Sequence, residues 1–139
     1  MARHADTTDI AADIDSVRRV LLDPSAVAHW NPAITRSATS ETAARPGVAY
    51  AVTVKSFVRA TLTYGHPGSD AVVEYELRAP GAREMGRWTL GALDAGHTRV
   101  EHTFEHGGPV LSLMSGAFDR VAEWRLARLK DFAESRASR

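Results

Sequence analysis

The chain has 139 residues, with 17 basic and 17 acidic side chains, six histidines and no cysteine. This length predicts one domain over residues 1–139, and a 44% hydrophobic content is enough for a core that needs no crosslink or metal. The absent cysteine excludes disulfides, thiolate zinc sites, iron–sulfur clusters and a cysteine nucleophile, and formal neutrality removes the positive field by which nucleic-acid binders collect phosphates. No apolar run nears the roughly 18–20 residues of a bilayer span, and the opening MARHADTTDI has acids where a signal peptide needs apolar residues. A cytoplasmic location, without nucleic acid or membrane span, is the expectation.

In chain order, Arg3 to Ala12 alternates small, polar and apolar residues and suits an edge strand. Asp13 or Asp15 can cap a short helix in which Ile14, Val17 and Leu21 fall three and four apart. Asp23-Pro24 ends it and starts a second, shorter helix through Trp30, which Pro32 closes. From Ala33 to about His106 the period becomes two, broken by turns at Arg45-Pro46-Gly47, Gly65 to Gly68, Ala79-Pro80-Gly81 and Asp94-Ala95-Gly96. Six strands fit. Their inward sets are Ile34; Val48, Tyr50, Val52 and Val54; Val58, Ala60, Leu62 and Tyr64; Val73, Tyr75 and Leu77; Trp88 and Leu90; and Val100, His102, Phe104 and His106. The residues between them are mostly polar, as in an antiparallel sheet with one buried and one wet face. After Gly107-Gly108-Pro109, Val110 to about Ser135 reads as one long helix whose stripe holds Leu111, Met114, Phe118, Val121, Ala122, Leu129 and Phe132. Only the sheet can cover that stripe. The predicted fold is α+β: a seven-stranded curved antiparallel sheet gripping a long C-terminal helix, with two short helices between strands 1 and 2.

This order, together with Asp13-Ile14-Asp15-Ser16-Val17, Asp23-Pro24, Trp30-Asn31-Pro32, Gly86-Arg87-Trp88-Thr89-Leu90, Gly96-His97-Thr98-Arg99-Val100, His106-Gly107-Gly108-Pro109 and Trp124-Arg125-Leu126 with Leu129-Lys130, resembles the START/Bet v 1-like (SRPBCC) superfamily. Within it the chain is similar to bacterial polyketide cyclase/dehydrase-like proteins, over nearly its whole length. The resemblance implies a helix-grip fold with a cavity between sheet and long helix that holds a hydrophobic small molecule. Members include binding proteins and aromatase/cyclases, and catalytic residues vary between branches, so the resemblance supplies no catalytic set.

The residues themselves nominate candidates. His102 and His106 lie about 13 Å apart on a strand, too far for one ion, so no metal or other cofactor is expected. His102 points inward, as a hydrogen-bonded core histidine, a ligand anchor or an acid/base, with His106 nearer the rim. Arg125 falls within the apolar stripe of the long helix and requires a partner, for which Asp6 and Arg36 share inward parity in one network; the alternative is an anchor for a polar ligand group. Tyr50, Tyr64 and Tyr75 offer apolar bodies with phenol tips, as a cavity wall would. Trp30, Asn31 and Trp88, with Met114 and Phe118 on the helix, complete the candidate ligand-binding set, while Trp124 reads as structural. His102 and Tyr64 are the candidate acid/base groups.

Three readings remain open at this point: a binder of a polyketide-like, aromatic or lipid molecule, a cyclase/dehydrase-type enzyme in the same mould, or an interaction module with a filled core. Either a monomer or a homodimer is compatible with the sequence.

Overall fold

The computed structural model describes residues 3–66, 68–109 and 120–138. Strand β1 (Arg3–Ile10) is followed by helices α1 (Ile14–Leu21) and α2 (Val27–Trp30). Six further strands follow: β2 (Ile34–Ser37), β3 (Ala49–Val54), β4 (Val58–Tyr64), β5 (Val72–Ala79), β6 (Ala82–Asp94) and β7 (His97–Gly107). Helix α3 (Val121–Ala137) closes the described chain. The strands form one antiparallel sheet in the order β1-β7-β6-β5-β4-β3-β2, the seven-stranded helix-grip architecture that the alternation predicts. No described helix is long and apolar enough to cross a membrane. The first part of the expected long helix, with Leu111, Met114 and Phe118, lies outside the described residues.

Local chemistry explains the boundaries. The Asp13 carboxylate accepts the Ser16 backbone N–H at 3.2 Å and caps α1, so that Val17, Val20 and Leu21 turn into the core. At the β5–β6 hairpin, Pro80 is followed by Gly81 at φ 73°, a left-handed position that glycine occupies without a Cβ clash. Helix α3 packs chiefly on β1 and buries Ala122, Arg125, Leu126, Leu129 and Ala133. Each of the two leucines contributes about 2 kcal/mol by leaving water. Its C-terminal half is tied to the β1–α1 junction. Glu134 accepts the Ala11 N–H at 2.8 Å, and Lys130 Nζ donates to the Asp9 carbonyl at 2.8 Å.

Three inward readings need correction. Ile34 opposes Val54, but a register shift between Ile34 and Arg36 sets Arg36 opposite Thr53, so the bulge turns Arg36 out to solvent. Asp6 sits opposite His102 on the edge strand β1, where the rim is open; it is exposed and its carboxylate accepts the Thr7 N–H. Neither residue reaches Arg125. Val58, at the tip of the β3–β4 hairpin, is exposed. His106, expected at the rim, is buried. Trp124, expected to be structural, is instead 44% exposed, with the Arg120 guanidinium over its ring.

Candidate functional site

Antiparallel register assembles the inward face from facing pairs. Along β6 and β7, Glu84 opposes His106, Gly86 opposes Phe104 and Trp88 opposes His102, while Tyr75 of β5 opposes Gly86. Because position 86 has no side chain, the Tyr75 ring lies over it. The same column stacks His102 on Trp88, with ring centroids 3.6 Å apart and planes within 7°. Trp30 meets Trp88 edge-on at 5.3 Å.

Arg125 enters this column from α3 and makes a two-pronged ion pair with Glu84, Nη1 to Oε2 at 2.7 Å and Nη2 to Oε1 at 3.0 Å. His106 Nε2 donates to Glu84 Oε1 at 3.0 Å, and the Tyr75 hydroxyl donates to Oε2. Arg125 Nη1 also reaches the Tyr75 hydroxyl and His102 Nε2, each at 3.2 Å, and its guanidinium lies 4.9 Å from the Phe104 ring centre. Every member is buried. Such a cluster is tenable only because nearly every charge and lone pair has a partner.

The electrostatics follow from this packing. Burial alone pushes the Glu84 carboxyl up, but the Arg125 charge and the hydrogen bonds from His106, Arg125 and Tyr75 outweigh it and hold the group ionised, well below the usual carboxylate range. Burial, then the Glu84 charge, drives the Tyr75 phenol well above its ordinary value. For His102, burial and then the Arg125 charge pull the imidazole down to about 3. Arginine only donates, so His102 Nε2 must carry the lone pair and Nδ1 the proton, which points to the Arg87 carbonyl at 3.2 Å.

A pH dependence follows with a definite sign. An unfolded chain protonates His102 near 6.5, whereas the folded chain resists until about 3. The stabilisation is complete above pH 6.5 and is lost as pH falls, at about 1.4 kcal/mol per unit. In urea titrations between pH 6.5 and 4, the wild type is expected to lose stability more steeply than His102→Gln, by about one proton's slope. Equal slopes would mean that His102 titrates alike in both states.

Beside this cluster is a second, smaller feature. Leu21, Val27, Trp30, Asn31, Ile34, Leu62, Tyr64, Tyr75, Leu77 and Trp88 enclose an inward pocket of about 10 Å³. Two of its lining residues, Trp30 and Tyr64, carry donor groups. Trp30 Nε1 is buried and unbonded. The Tyr64 phenol is pushed above its ordinary value by burial, then by the charges of Asp23 and Tyr50, with no hydrogen bond contributing. The Asn31 side-chain oxygen accepts the Ala33 N–H at 3.0 Å, which leaves its NH2 to donate elsewhere. A wider, open cleft of about 510 Å³ is lined mainly by outward-facing residues, among them Thr63, Glu74, Glu76, Met85, Arg87 and Glu105. Arg87 bridges Glu74 across it at 3.4 Å.

Of the candidate residues, the fold brings Trp30, Asn31, Tyr64, Tyr75 and Trp88 around one pocket, and joins His102 and Arg125 to it through Tyr75 and Trp88. Tyr50 packs edge-on against Tyr64 at 6.2 Å, but its hydroxyl donates to Glu41 at 2.7 Å and accepts the Arg45 N–H at 2.8 Å, which anchors the β2–β3 loop. Met114 and Phe118 lie outside the described residues. Glu84 is the residue that sequence reasoning missed. It shares the parity of Trp88 and Leu90 on β6, and that alternation was the signal.

The family model described as polyketide cyclase/dehydrase and lipid transport matches residues 1–134. The chain belongs to this family. Solved structures agree on the fold. The ZhuI aromatase/cyclase of Streptomyces sp. R1128 is similar with a TM-score of 0.75 and 19% identity, over 97% of this chain and 94% of that one. A START superfamily protein of Mycobacterium smegmatis gives 0.69 and 16%, over 98% and 97%. A hypothetical protein of Helicobacter pylori gives 0.72 and 13%, over 95% and 88%. No curated protein matches the sequence. At these identities the family's architecture is shared, while the Glu84–Arg125 cluster and the Trp30–Tyr64 pocket are features described for this member.

Proposed function

We propose that this family member binds an uncharged hydrophobic small molecule, polyketide-like, aromatic or lipid, between the sheet and the C-terminal helix, with a hydrogen-bond acceptor of the ligand facing Trp30 and Tyr64. One observation carries the reading: Trp30 Nε1, a buried donor with no partner among the described residues, belongs to an aromatic-walled pocket that Tyr64 also lines. A buried donor without a partner is costly, and a ligand carbonyl or hydroxyl would supply what it lacks. Asn31 stands beside them with a free amide edge. A volume of about 10 Å³ holds at most one water, so binding requires the pocket walls to part. Met114 and Phe118, on the sequence-predicted stripe, are proposed to face the same ligand.

Binding is favoured over acid–base chemistry by His102. Its imidazole is held neutral with its lone pair directed at Arg125, whose two Nη atoms are paired with Glu84, so the His102 lone pair is already taken up. Tyr64 remains the candidate proton donor if the pocket also performs a cyclisation or dehydration step.

Tyr64→Phe tests the reading. Removing the phenol hydroxyl should leave the thermal midpoint of the ligand-free protein unchanged or raised, while weakening the binding of an uncharged hydroxyanthraquinone, followed by tryptophan quenching, by about tenfold. A lowered midpoint would make the hydroxyl structural. Absence of saturable quenching in the wild type, together with native mass spectra free of any copurified mass, would favour the filled-core alternative.

A further inference from the structure

The opposite extreme of burial occurs at the tip of the β3–β4 hairpin. There Lys55–Phe57 form a single 3-10 turn, and Phe57 has φ 61°, the one positive value at a non-glycine among the described residues. Its side chain is 92% exposed, and Val58 beside it is 39% exposed. A bulky residue in the left-handed region is disfavoured, and an aromatic ring held in water gains nothing from the fold. Glycine would satisfy this turn better in both respects.

The charges around the tip are of one sign. Although acids and bases balance over the whole chain, no carboxylate occurs between Glu41 and Asp70, while Lys55 and Arg59 flank Phe57. The neighbouring β5–β6 hairpin ends on the same side. Its Arg78 and Arg83 are directly opposite each other, and Thr61 of β4 opposes Arg78. Like charges in facing positions are unfavourable in a sheet. Arg78 is paired with Glu76 at 3.1 Å, whereas Lys55, Arg59 and Arg83 are exposed and take part in no ion pair among the described residues.

We propose that this hairpin tip docks the protein peripherally on an anionic bilayer surface, with Phe57 and Val58 inserted among the headgroups and Lys55, Arg59 and Arg83 against lipid phosphates. The chemistry is that of interfacial anchors: an exposed apolar aromatic with basic neighbours, attracted by the negative surface potential. The shape argues against a protein partner. A stable protein interface covers about 800 Å² on each side, whereas the exposed apolar part of this tip is two residues, Phe57 and Val58. The proposal is independent of what the inward pocket binds. A docked hairpin would also place Ile34, which opposes Val54 next to the turn and lines the pocket, close to the membrane.

Co-sedimentation with vesicles tests it. The full chain is expected to pellet with phosphatidylcholine vesicles containing phosphatidylglycerol and to stay in solution with phosphatidylcholine alone, with binding reduced by salt. Phe57→Gly is expected to weaken the partition about tenfold or more while keeping or raising the thermal midpoint, which separates docking from folding. Lys55→Glu with Arg59→Glu should abolish it. Unchanged partition of Phe57→Gly, no dependence on phosphatidylglycerol, or binding of a single-stranded oligonucleotide instead of vesicles would each overturn the proposal.

Discussion

Arg125→Met is expected to destabilise the protein by about 3–5 kcal/mol, the range for removing one partner of a buried ion pair. Domains have only about 5–15 kcal/mol in total, so the loss is between about a fifth and all of the fold's stability. The reason is the charge left behind. Glu84 is held ionised in the core chiefly by Arg125, and without it the carboxylate keeps only His106 and Tyr75. Arg125→Lys should recover little, because one ammonium cannot bridge both carboxylate oxygens and His102 as the planar guanidinium does. The informative partner is the double variant Glu84→Met with Arg125→Met. It removes both charges from the same space and should be more stable than either single variant, with a coupling of about 1–3 kcal/mol in urea unfolding. If Arg125→Met cost less than about 1 kcal/mol, the pair would be no more than a surface ion pair in its effect.

Gly86→Ala is expected to be nearly as damaging, although it adds one methyl group. A Cβ at position 86 would lie 2.2 Å from the Tyr75 ring and hydroxyl, well inside van der Waals contact. Both atoms belong to a ring seated between β5, β6 and α3, so the ring cannot withdraw without breaking its hydrogen bonds to Glu84 and Arg125. The combined overpacking and lost bonding should cost about 2–4 kcal/mol in urea unfolding. Gly86→Ala in a Tyr75→Ala background should cost far less, since the obstructing ring is gone. Additive effects of the two substitutions would show that the ring does not depend on glycine at 86.

Both predictions concern residues whose parity was legible but whose partners were not. Alternation along β4, β5, β6 and β7 is a direct record of a sheet with one covered face. It therefore turned Tyr64, Tyr75, Trp88 and His102 inward on sequence grounds. Helical spacing likewise set Arg125 among Ala122 and Leu129. Where alternation is interrupted, the inference fails for a local reason. The bulge in β2 reversed Arg36, the open edge at β1 exposed Asp6, and the hairpin turn lifted Val58 out of the core. His106 was misplaced toward the rim because its partner, Glu84, lies 22 residues away on the neighbouring strand and meets it only through register.

The amino-acid sequence by itself determined the class of fold, the number of strands, the two short helices and the inward faces, because these depend on periodicity and turn chemistry within a few residues. Tertiary structure alone decided that Arg125 closes on Glu84, 41 residues distant, that His102 is a neutral acceptor, and that Trp30, its indole N–H unpartnered, shares a pocket with Tyr64. Such pairings are set by strand register and by where the helix seats on the sheet, and no local pattern encodes either.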